Sequence, residues 1–142
     1  MSALPDLINP LLGIDNRIVA PLCVSVFFAI TFLQSGLDKA LDYSGNKAYF
    51  QDHFKNSPLA KFVPLLLPTI TILEIGAGIF CALGSLLWLF NDIKQMALIG
   101  ISLSAISLLC LFFGQRVAKD YAGASGLVPY FLLAIVALHL FN

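Results

Sequence analysis

Residues 62–90 read FVPLLLPTITILEIGAGIFCALGSLLWLF, and the only Asp, Glu, Lys or Arg in that run is Glu74. An α-helix rises 1.5 Å per residue, so about 20 apolar residues cross a hydrocarbon layer of ~30 Å. This stretch is long enough to do so. It lacks the period-2 alternation of a barrel strand, and a barrel needs at least about eight strands. A helix is therefore expected, because it satisfies its backbone N–H and C=O groups within the segment.

Three further stretches carry no Lys, Arg, Asp or Glu: Ile18 to Leu37, Gln95 to Gln115 and Tyr121 to Asn142. The chain thus reads as all-α, an integral membrane antiparallel four-helix bundle forming one transmembrane domain over 1–142. The expected spans are 18–39, 62–90, 95–115 and 124–141. The fourth is strongly apolar only from Leu127, after Gly123, Ser125 and Gly126. Ser57-Pro58 reads as an N-cap and first-turn proline for the second span, with Pro64 and Pro68 bending its entry.

Composition agrees. Of 142 residues, 59% are hydrophobic and 11% charged, against roughly 25% charged in soluble domains. One small soluble core could not bury so much apolar surface. Eight basic and eight acidic residues cancel, so no basic field exists to attract nucleic acid. The lipid bilayer is the expected partner.

Two segments read as interfacial, 1–16 and 46–56. In the first, Leu4, Leu7, Ile8, Leu11 and Leu12 sit at helical spacing, although Pro5 and Pro10 fit an irregular arm equally well. The segment lacks the basic n-region and cleavage site of a secretory signal. In the second, Ser44-Gly45-Asn46 reads as a turn, and Tyr49, Phe50 and Phe54 as aromatic anchors. Lys39, Lys47, Lys55, Lys61, Arg116 and Lys119 fall in the first and third loops, Arg17 and Lys94 on the side of the termini. The positive-inside rule places the first and third loops in the cytoplasm and the termini outside.

Glu74 is the leading site candidate, because an ionisable group inside a span is expensive. Ile70, Thr71, Ala77, Gly78, Cys81, Ala82 and Ser85 share its helical face, which is small and slightly polar. Gly36, Gly76, Gly78, Gly84 and Gly100 read as helix-packing positions. The carboxyl either locks helices together or takes part in proton or quinone chemistry. Gln34 and Asp38 share one face of the first span, Ser35 and Lys39 another. Lys39 or Gln34 could reach Glu74 if the first helix continues to about Leu41. Asp38 and Lys39 also suit ordinary interface charge. His139, counted from Leu127, falls at a depth like that of Glu74, although a histidine so near the chain end also suits the interface. Cys23, Cys81 and Cys110 lie in three different spans without a C-x-x-C and read as packing residues. No residue cluster has metal-ligand spacing, and two histidines, one in a loop, do not make a bis-histidine haem site.

Phe32-Leu33-Gln34-Ser35-Gly36-Leu37-Asp38-Lys39, together with Ile72-Leu73-Glu74-Ile75-Gly76-Ala77-Gly78 and Leu83-Gly84, resembles the DoxX family of small bacterial membrane proteins. The resemblance covers Ile18 to Leu89. It implies a multi-pass four-helix bundle in the bacterial inner membrane. The family name comes from a subunit linked to quinol oxidase and thiosulfate:quinone oxidoreductase activity. Gly36, Lys39 and Glu74 match the family's polar features. The chain has no intrinsic cofactor motif, and quinone is the cofactor the resemblance points to. The expected function is a small subunit of a quinone-linked redox complex, with Glu74, Gln34 and Lys39 at the polar end of a quinone or lipid-headgroup pocket. A purely structural accessory subunit bound to other membrane subunits is the alternative, and a small carrier a third.

Overall fold

The computed structural model describes residues 16–141. The reading of segment 1–16 as interfacial falls outside the described residues, apart from its last position. The helices are α1 (Asn16–Leu41), α2 (Tyr43–Phe54), α3 (Val63–Asn91), α4 (Gln95–Val117) and α5 (Tyr121–Leu140), with a 3-10 turn at Ala60–Phe62 before α3. No strand occurs among the described residues. The four long helices are each long and apolar enough to cross a membrane.

Two local starts differ from expectation. Ser57-Pro58 does not open α3. The Ser57 hydroxyl instead accepts from the Leu59 N–H at 3.2 Å, closing a turn. The helix begins at Val63, with Pro64 in its first turn, where a missing N–H costs nothing. Pro68 lies further inside. Likewise Ser44-Gly45-Asn46 is not a turn but the first turn of α2. Asp42 caps it by accepting from the Gly45 N–H at 3.1 Å, which satisfies a donor the helix leaves orphaned. Asp120 does the same for α5, accepting from the Gly123 N–H at 2.8 Å.

Helix α3 is the centre of the molecule. It packs along α1 on one side and α4 on the other, while α5 lies chiefly on α4. Lipid tails are as apolar as leucine, so helices in a bilayer associate through close packing and polar contacts rather than by hiding grease from water. The core reflects this. Ala77, Cys81, Ala97, Ala134 and Ala137 are fully buried beside Phe28, Phe32 and Ile101. Large apolar side chains such as Ile30, Ile72, Phe90 and Phe113 point outward, as lipid-facing residues should.

Glycines set the closest approaches. A Cβ on Gly78 would lie 2.7 Å from the Leu33 nitrogen. One on Gly100 would lie 2.5 Å from the Cys81 nitrogen, and one on Gly84 would strike the backbone of Ala97. Gly76 does not belong with them: a Cβ there meets nothing within 4 Å. Its face of α3 is turned away from both neighbours at that level.

Candidate functional site: a buried carboxylate between the first and second spans

Glu74 is 1% exposed. It lies where α1 and α3 come close, and Gly36 makes that possible. A Cβ on Gly36 would sit 2.6 Å from Ile75 Cγ1, 3.0 Å from the Ile75 nitrogen and 3.4 Å from Glu74 Cβ. With only hydrogen there, α1 lies against α3 and carries Ser35 and Lys39 to the carboxyl group.

The Ser35 hydroxyl donates to Glu74 Oε1 at 3.1 Å. Lys39 Nζ stands 2.9 Å from Glu74 Oε2. The same ammonium donates to Ser35 Oγ at 2.8 Å and to the Ser35 carbonyl at 3.2 Å. Ser35 therefore accepts from the lysine while it donates to the glutamate. The ammonium approaches Oε2 away from the hydrogen-bonding direction, so that contact is a charge pair, and Oε2 accepts no hydrogen bond among the described residues. Lys39 is in the last turn of α1, where a cation is also favoured by the helix dipole. Its ammonium turns inward: the side chain is 11% exposed.

The structure thus brings together Glu74, Lys39 and Gly36. It keeps three other candidates apart from them. Gln34 and Asp38 are exposed on α1, one position away from Ser35 and Lys39 and hence turned some 100° around the helix. His139 is exposed in the last turn of α5. Its neighbour Phe141 packs on Trp88 with ring centroids 5.0 Å apart, and Trp88 lies about 21 Å further along α3 than Glu74. His139 and Glu74 are at different depths.

Ser35 is the site member that residue type alone did not single out. A second polar contact between the same helices was also missed. Ser25 Oγ donates to the Cys81 carbonyl at 3.0 Å. Ser85 Oγ lies 2.9 Å from Ser25 Oγ and 2.7 Å from the same carbonyl. Of the cysteines, only Cys81 is buried; Cys23 and Cys110 are exposed, so packing does not account for them.

Beside the site, a cavity of about 210 Å³ lies between α2, the start of α3 and the end of α4. Phe50, Phe54, Leu67, Ile70 and Leu111 line it. Two of its polar wall groups are already engaged. Thr69 donates to the Leu65 carbonyl at 2.7 Å, and Gln115 Oε1 lies 2.7 Å from His53 Nε2, which donates to it.

A quinone headgroup does not fit the Glu74 site as it stands. A quinone oxygen only accepts hydrogen bonds, and the donors present, the Ser35 hydroxyl and the Lys39 ammonium, are already turned to Glu74 and Ser35. Among the described residues no group of three or more His, Cys, Asp or Glu could hold a metal ion.

The fold and this internal charge pair define a small multi-pass helical membrane protein. A family model, DoxX, matches residues 20–113, which spans nearly all of α1 through most of α4. The chain belongs to the DoxX family. No curated protein and no solved structure matches it.

Proposed function

We propose that the protein is a small accessory subunit of the bacterial inner membrane, acting beside a quinone-linked redox partner that carries the redox centres. The observation that carries this reading is the closed triad of Ser35, Lys39 and Glu74. Each charge in it has a partner inside the bundle, which suits a fixed internal brace better than a group that meets substrate. The quinone link rests on the family to which the chain belongs. Outward faces rich in Leu, Ile and Phe would bind lipid and the larger complex. By the positive-inside rule, the loop bearing α2 and the loop between α4 and α5 are cytoplasmic.

The test is purification from native membranes in mild detergent, with quinone extraction and identification of co-purifying subunits. The expected result is a stoichiometric membrane partner with quinone present in the complex. A protein recovered alone, without quinone and without any partner, counts against the reading.

A further inference from the structure

Two buried polar atoms make no hydrogen bond among the described residues: Glu74 Oε2 and Ser107 Oγ. Ser107 is on α4 and fully buried. The hydroxyls of Thr31, Thr69, Thr71, Ser85, Ser102 and Ser104 each donate to the carbonyl four residues earlier. That is the usual arrangement for a hydroxyl within a helix. Ser107 does not do so.

The register of α3 against α4 relates the two atoms. The helices are antiparallel, and Gly100 abuts Cys81. Ser104 Oγ, one turn on from Gly100, still lies 3.9 Å from Cys81 Sγ. Seven residues are close to two full turns, so that step along a helix returns to nearly the same face. From Cys81 toward the start of α3, the step arrives at Glu74. From Gly100 toward the end of α4, it arrives at Ser107. The two residues thus occupy facing positions at one level, and both are sealed from the outside.

We propose that Ser107 belongs to the Glu74 site, and that the two side chains hold one water-sized neutral molecule between Ser107 Oγ and Glu74 Oε2. The chemistry of the two atoms specifies the ligand. A carboxylate oxygen only accepts, whereas a serine hydroxyl accepts and donates. The bound molecule must therefore donate to Oε2 and exchange a second hydrogen bond with Oγ, as water does. Small size follows from burial, since Glu74 is 1% exposed and Ser107 not at all. Ser107 is then a positioning residue: through the bound molecule it fixes the oxygen that Lys39 pairs with. The proposal does not depend on whether a redox partner is found.

The experiment is a double-mutant cycle read by thermal melting in detergent, with an experimental density map of the unsubstituted protein. Ser107→Ala is expected to lower the melting temperature by ~2–4 °C, and to change it far less when Glu74→Gln and Lys39→Met are already present. Ser104→Ala, whose hydroxyl is bonded back to Gly100, should lower it equally in both backgrounds. The map should contain an ordered molecule within hydrogen-bond distance of both atoms. Equal losses for Ser107→Ala in the two backgrounds would overturn the proposal. So would a map with Ser107 bonded back to the Leu103 carbonyl, or bonded directly to the carboxylate with nothing between. If Ser107→Ala does not fold, the map alone decides.

Discussion

Lys39 Nζ and Glu74 Oε2 stand 2.9 Å apart inside the bundle, across the contact of α1 with α3. Removing one partner of a buried pair leaves an uncompensated charge and costs about 3–5 kcal/mol, whereas replacing both is often nearly neutral. Glu74→Gln and Lys39→Met should each lower the melting temperature sharply, and the double change should recover most of the loss. The exchange Lys39→Glu with Glu74→Lys should also be more stable than either of its single changes. If it is no better, the two groups do not pair directly. Glu74→Gln alone therefore cannot separate a bracing role from a chemical one, since it strands the ammonium in either case.

Gly36 and Gly76 give opposite expectations on neighbouring helices. A methyl group at Gly36 meets Ile75 Cγ1 at 2.6 Å and must push α1 outward, loosening the triad. Overpacking of this kind costs about 1–3 kcal/mol. At Gly76 a methyl meets nothing and gains the better helix propensity of alanine, worth about 0.8–1 kcal/mol. Parallel melting curves of Gly36→Ala and Gly76→Ala check both.

The cysteines offer a labelling test of the packing. Cys23 and Cys110 are exposed on the flanks of the bundle and Cys81 is buried. An apolar maleimide applied to the folded protein in detergent should add to the first two and spare the third until the protein is denatured. Intact-mass analysis before and after denaturation reads this directly. Labelling of Cys81 at the rate of the others would contradict the α1–α3–α4 core.

On the surface helix α2, Asp52 titrates below its ordinary value of 3.8, because Lys55 hydrogen-bonds to its carboxylate and also sits beside it as a positive charge. A depressed carboxylate pKa contributes stability that is present above the ordinary value and lost as the pH falls through the depressed one. The group is fully solvated, so the effect should be seen in its titration rather than in global stability. Lys55→Ala should return the Asp52 midpoint upward toward 3.8, as followed by NMR.

The spans were legible because charge is expensive in hydrocarbon, and the gaps between charges mark them. The Lys39–Glu74 contact was also within reach, since antiparallel neighbours bring the end of one helix beside the start of the next. Ser35 carried no such signal. A serine in a membrane helix normally bonds to its own backbone, so its turn toward Glu74 depends on how α1 is rotated. Counting the fourth helix from Leu127, its first strongly apolar residue, puts His139 at the wrong depth. Asp120 starts that helix at Tyr121, and Gly123, Ser125 and Gly126 are helical despite their weak propensity. The extra turns carry His139 well past the level of Glu74.

Helix α5 leans on α4 and meets α1 only lightly, in part through the stacked rings of Phe27 and Tyr130 at 5.9 Å. The family match ends at residue 113, before this helix begins. The groups that hold Lys39 and Glu74 together reside in α1 and α3, so a tag or a bulkier neighbour on the outward face of α5, at Leu132 or Val136, would leave that pair undisturbed.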